Sequence, residues 1–155
     1  MTFRAALLAL ALAASPASAQ SPEVDLEAIV ACVQNAAGGS AAARCIEASL
    51  TPCDSVQYET PAVALLCYQT ARATFDEGIT AERQRLAALD KPVDAGFVTV
   101  NARYDMLGAL LECDRDEDIS LLGDHQPQDV ARAKARCLTS VSAVTWLKLR
   151  LALRE

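Results

Sequence analysis

Residues 60–89 read TPAVALLCYQTARATFDEGITAERQRLAAL, and this stretch decides the fold. Thr60-Pro61 is a helix start, because proline fits the first turn, where its missing N–H is not needed. From there Val63, Leu66, Cys67, Thr70, Thr74, Phe75, Ile79, Glu82, Leu86 and Leu89 recur at steps of three and four. They trace one mostly apolar stripe with Glu82 as its exception, the pattern of an amphipathic helix packed along its length. Asp90-Lys91-Pro92 ends it.

The flanking segments repeat the same grammar. Ser21-Pro22-Glu23 supplies a capping serine, a first-turn proline and an acid near the positive end of the dipole. It predicts a helix running to about Ala37 and stopping at Gly38-Gly39. Ser40 is placed to cap a second helix that ends near Leu50, ahead of Thr51-Pro52. Asp94 opens a fourth, with Phe97, Val100, Tyr104, Leu107 and Leu111 as its apolar repeat. Gly123 and Pro127 bracket a polar loop, and a fifth helix carries Val130, Ala133, Cys137, Val141, Val144, Leu147 and Leu151. No useful strand-like alternation or internal repeat is present. The expected fold is all-α, a small disulfide-stapled bundle of about four to five helices.

The first residues carry an export signature. Arg4 precedes the apolar run Ala5–Ala14, Ser15-Pro16 breaks it, and Ala17-Ser18-Ala19 is an A-x-A cleavage site. Residues 1–19 are therefore expected to be a signal peptide and residues 20–155 a single helical domain. The apolar run is far shorter than the roughly 20 residues of a membrane span. No cysteine lies at the cleavage site, so no lipid anchor is expected and the product should be soluble, periplasmic or secreted.

Behind the signal stand six cysteines, Cys32, Cys45, Cys53, Cys67, Cys113 and Cys137. In an oxidising compartment an even count reads as three disulfides. No C-x-x-C is present, which removes the zinc-ribbon, thioredoxin-like and c-type haem signatures. Six cysteines allow fifteen connectivities, and the helix map narrows them. Cys32 and Cys45 flank the Gly38-Gly39 turn, Cys53 lies in the next loop and Cys67 on the inner face of the third helix, and Cys113 and Cys137 fall on consecutive helices. The expected pairs are 32–45, 53–67 and 113–137, with 32–53 and 45–67 as the alternative for the front four.

Charge limits the partners. Loss of Arg4 leaves 13 basic residues of the original 14 against 20 acidic ones, a net charge of −7. Nucleic acid and anionic membrane surfaces repel such a chain, whereas a cationic protein is steered toward it.

The segment Cys67-Tyr-Gln-Thr-Ala-Arg-Ala-Thr-Phe75-Asp76-Glu-Gly-Ile79 resembles the middle of the lysozyme inhibitor LprI-like family (the DUF1311 domain). Members of that family carry an aromatic–Asp pair eight and nine positions after a cysteine. Arg44-Cys45-Ile46 followed by Cys53 is similar to the front cysteines of exported bacterial members. Cys113, Cys137-Leu138 and Trp146-Leu147 are similar to the C-terminal cysteine pair and last helix. The chain departs from the pattern at Ala71, Thr80, Arg83 and Val144, and lacks the aromatic/Arg-Asp motif before the fourth-helix cysteine, so it resembles a divergent member. The resemblance spans roughly residues 44–150. It implies a helical, exported, disulfide-bonded domain, and inhibition of lysozyme for some members. Phe75 and Asp76 are its signature, with Asp76 expected as a buried or half-buried polar anchor.

Other chemistry-bearing residues have plainer readings. Asp114-Arg-Asp116-Glu117-Asp118 opens like an EF-hand loop, but Ile119 stands where glycine is needed and His125 where a bidentate Glu belongs. The run reads first as a solvated acidic helix end or loop, and second, since Cys113 would hold it rigid, as a candidate partner-binding surface at Asp114, Asp116, Glu117 and Asp118. His125, the only histidine, has Ser120 and Asp124 near it in sequence, which does not make a triad. Asp76, Glu77 and Glu82 offer carboxylates without any other mark of a sugar cleft. Trp146 with Lys148, Arg150 and Arg154 reads as core packing with snorkelling cations. No cofactor or metal and no catalytic activity is expected. The expected function is binding, either inhibition of a cationic cell-wall hydrolase or service as an adaptor for an unidentified envelope protein.

Overall fold

The structure is a computed structural model that describes residues 24–37 and 40–152. It contains five helices: α1 (Leu26–Asn35), α2 (Ala41–Asp54), α3 (Pro61–Ala87), α4 (Pro92–Leu121) and α5 (Pro127–Ala152). No strand occurs among the described residues. The signal segment 1–19, the Ser21-Pro22-Glu23 start and the Gly38-Gly39 stop lie outside them.

Three helix ends differ from the sequence reading; α4 opens at Pro92, so Asp94 falls inside its first turn and does not cap it. α1 begins at Leu26, not near Ser21, because Asp25 is its cap and accepts a hydrogen bond from the Ala28 N–H at 3.0 Å. Val24, just before the cap, and Ile29, one turn inside, are buried in the same cluster, a staple that fixes where the chain enters the helix. α2 continues through Pro52 to Asp54 rather than stopping near Leu50. Proline sits in the final turn, so the bond it removes is one of the last. The Ser55 N–H and hydroxyl both return to the Thr51 carbonyl, at 2.9 and 2.7 Å.

The long helices pack around α5, which runs against both α3 and α4. α3 buries Ala64, Cys67, Tyr68, Ala71, Phe75, Gly78, Glu82 and Leu86. The expected stripe holds from Phe75 to Leu86, whereas Leu89 lies past the end of α3 and is exposed. The stripe's first half lies about one residue out of phase, leaving Val63 and Leu66 exposed. Close approach explains the shift: Ala64, Ala71 and Gly78 recur every seven residues and let α5 come near. A Cβ on Gly78 would lie 2.6 Å from Cδ1 of Trp146.

The main core lies where α1, α2, α3 and α5 meet, with Ile29, Ile46, Leu50, Phe75 and Trp146 among its members. Phe75 is fully buried, and its ring sits 6.0 Å from that of Trp146 at 46°. A second cluster gathers the Cys53–Cys67 bridge, Ala64 and Tyr68, and a third places Leu86, Ala95, Ala102 and Leu149 beneath the α3–α4 hairpin. Disulfides join Cys32 to Cys45, Cys53 to Cys67 and Cys113 to Cys137, with Cα separations of 5.9, 5.5 and 5.8 Å.

The largest correction concerns α4. Its apolar repeat does not face the core. Val93, Phe97, Val100, Tyr104, Leu107 and Leu111 are 46–83 % exposed. The face against α5 instead carries Ala95, Ala102 and Cys113, again small residues that permit close packing.

Candidate functional site

The acidic run is helical, not a loop, and forms the last turns of α4. Helical spacing splays Asp114, Asp116 and Asp118 around the axis instead of converging them. Among the described residues no cluster of carboxylates, histidines or cysteines is placed to hold a metal ion. Cys113 anchors this end to α5 through Cys137. From α5, Lys134 reaches Asp114 at 3.0 Å and also pairs with Glu117. Those two hydrogen bonds raise the Lys134 pKa and keep its ammonium charged.

Arg115 bridges Glu112 at 2.5 Å and Asp116 at 3.3 Å. Four of the five acids thus share two cations, and Asp118 makes no ion pair among the described residues. Glu117 packs against Lys134, while Asp114, Asp116 and Asp118 project into solvent. The arrangement also sets negative charge at a helix C-terminus, where the dipole disfavours it. Local helix stability therefore does not account for the acids. What the surface can do is attract a cation-bearing partner onto a helix end that the bridge holds fixed.

N-terminal to the acids runs the exposed apolar stripe of α4. Beside it a cavity of about 610 Å³ opens between α3 and α4, lined by Thr80, Arg83, Leu86, Ala95, Thr99 and Val100. The groove lies between the last turns of α3 and the first turns of α4.

A second polar constellation had no signal in the sequence. The Tyr68 hydroxyl donates to Asp54 Oδ1 at 2.5 Å, and Arg136 Nε donates to the same oxygen at 2.8 Å. Arg132 donates to the Asp54 carbonyl at 2.8 Å, capping the end of α2, and its guanidinium lies 5.0 Å from the ring centre of Tyr58. Burial pushes the Asp54 carboxyl up, but the hydrogen bonds from Arg136 and Tyr68 prevail and hold it below its ordinary value. Burial, then the bond to Asp54, pushes Tyr68 up to about 12. A tyrosine held protonated is no general base, and the carboxylate's near oxygen is already doubly engaged. The cluster is a clamp fastening α2 to α3 and α5. Its members lie up to 82 positions apart, so spacing could not reveal it.

The remaining candidates separate. Phe75 is core. Asp76 is half-buried and pairs with Arg72 of its own helix at 3.6 Å, so it anchors nothing on a neighbouring helix. That role belongs to Glu82, whose side chain is 5 % exposed and meets Arg85 at 2.8 Å and Arg150 at 3.2 Å. Arg150 also reaches Glu27 at 3.0 Å, tying α1 to α5. Glu77 is exposed and Glu82 turned inward, so the three carboxylates do not share a cleft. His125 lies in the exposed loop after α4. Trp146 is buried, while Lys148 reaches out to Asp105 of α4 at 3.0 Å. No described helix is long and apolar enough to cross a membrane. Compared with known proteins, the chain matches no family model, no curated protein and no solved structure.

Proposed function

We propose that the chain is an exported, non-catalytic binding protein that docks the acidic end of α4 onto a cationic cell-wall hydrolase of the lysozyme type. The reading starts from the resemblance to LprI-like inhibitors. The observation that carries it is Asp114, Asp116 and Asp118 projecting from a helix end fixed by the Cys113–Cys137 bridge and Lys134. A rigid surface of one sign loses little ordering entropy on binding and steers an oppositely charged partner toward itself. Export is supported by the three disulfides, which persist in oxidising compartments.

The test is lysozyme turnover on cell walls at low ionic strength with the purified protein. Inhibition should appear near equimolar protein and fade as salt rises past about 0.15 M, where the Debye length falls to about 8 Å. Asp116→Lys combined with Asp118→Lys should abolish it while the helical circular dichroism stays unchanged. An unaltered hydrolysis rate at stoichiometric excess sinks the inhibitor reading. Recovery of an envelope protein by a pull-down from periplasmic extract would then favour the adaptor role.

A further inference from the structure

We propose that the outer stripe of α4 is a self-association seam, through which two copies of the chain pair antiparallel about a twofold axis level with Ala102. The first ground is periodicity. Val93, Phe97, Val100, Tyr104, Leu107 and Leu111 step by four and three alternately, the seven-residue repeat that keeps an apolar seam facing a second helix. All six are exposed, and α5 already covers the opposite face of α4.

The second ground is the symmetry of the order. Val93 and Leu111 are equidistant from Ala102, as are Phe97 and Leu107, and Val100 and Tyr104. An antiparallel twofold sets each residue against its mirror position on the second copy. Phe97 then packs on Leu107 and Tyr104 on Val100, a larger side chain against a smaller one at each layer. Self-complementarity of this kind is what an isologous interface demands.

Area and charge agree. Covering both stripes removes on the order of 1,200 Å² from water, the lower bound of a stable specific interface. Pro92, the first residue of α4, comes level with Glu112 of the second copy, so the seam ends where the acids begin. Each acidic end then meets the positive N-terminal end of the other helix, with Lys91 beside Glu112 and Asp114. Like charges approach where Arg103 meets its own mate near the axis, which two long stems relieve by splaying into solvent, and where Asp94 in the first turn of α4 comes within two residues of the level of Glu112 on the second copy. Asp116 of the two copies would stand about 40 Å apart at 1.5 Å per residue, giving one assembly two acidic ends.

Sedimentation equilibrium decides the matter. The protein should run at twice the protomer mass at tens of micromolar, roughly the range that a seam of this size supports. Val100→Glu with Tyr104→Glu should weaken dimerisation at least about thirtyfold, since both change the centre of the interface. Their side chains are exposed in the protomer, so its circular dichroism should not change. Register is read by cysteine crosslinking. Asn101→Cys, beside the axis, should crosslink to its own copy, whereas Val93→Cys alone should not. A monomeric wild type overturns the proposal, whatever other protein proves to cover the stripe. So does a double variant that dimerises normally, or equal crosslinking at the two positions.

Discussion

Gly78 is where the bundle is tightest. Helix propensity alone favours alanine there by about 1 kcal/mol, yet Trp146 occupies the space a Cβ needs. Backbone cannot yield cheaply to an indole wedged beneath Phe75, so Gly78→Ala should destabilise by about 1–3 kcal/mol through overpacking. Gly108→Ala is the matched control. It meets open space within 4 Å and should stabilise by roughly 0.5–1 kcal/mol. Urea unfolding of the two variants should shift in opposite directions. Glu82 gives the electrostatic counterpart. It is buried between Arg85 and Arg150, and Glu82→Ala leaves the Arg150 guanidinium, whose side chain is 19 % exposed, with Glu27 as its remaining partner. A loss of about 1–3 kcal/mol is expected in the same assay, below the range for a buried pair broken outright because Glu27 still meets the charge.

Among the elements, the α2–α3–α5 clamp couples folding to pH at both ends of the scale. Asp54 has its pKa depressed in the fold, so its contribution is present above the ordinary carboxylate pKa and is lost as pH falls through the depressed value. Tyr68 is raised to about 12 from 10.0, so the folded state holds its proton longer, and stability falls as pH climbs from about 10 to about 12. Tyr68→Phe should flatten the alkaline arm of a melting-temperature profile and, because it removes one of the two hydrogen bonds that depress Asp54, also shrink the acid arm without abolishing it. In the wild type one of the three tyrosines should ionise near pH 12 by absorbance, a step absent from the variant. The clamp was invisible in the sequence because Asp54, Tyr68 and Arg136 meet only after three helices assemble. Helices themselves were legible: caps, prolines and three–four spacing locate all five. Their faces were less so. A reading by bulk assigns Leu66 and Phe97 to the core, whereas this bundle buries Ala64, Ala71 and Gly78 on α3 and Ala95 and Ala102 on α4. Small residues at seven-residue steps signal close helix packing, and they displace larger neighbours to the surface. The acids at 112–118 were legible as a cluster, but their helical placement and the Lys134 bridge depend on α5 lying alongside.

For the whole molecule, the disulfides join neighbours in sequence and leave the two halves to be held by packing. Cys32–Cys45 ties α1 to α2, Cys53–Cys67 ties α2 to α3, and Cys113–Cys137 ties α4 to α5, while no bridge links α1–α3 with α4–α5. Association of the halves rests on α5 against α3, with the Phe75–Trp146 contact and the Glu82–Arg150–Glu27 bridge across it. Sequence separations of 13, 14 and 24 correspond to about 3 kcal/mol for each bridge in the chain-entropy model. Together that is roughly 9 kcal/mol, within the 5–15 kcal/mol that holds an ordinary domain folded. Full reduction should therefore leave the protein at or past the edge of unfolding at room temperature. Replacing Cys113 and Cys137 together by serine should instead cost about 3 kcal/mol and keep the fold, because Ala95, Ala102 and Leu149 still pack α4 on α5. Circular dichroism at 222 nm during urea titration, with and without a phosphine reductant, separates the two cases. A fully reduced chain as stable as the oxidised one would show that packing along α5 suffices without the bridges.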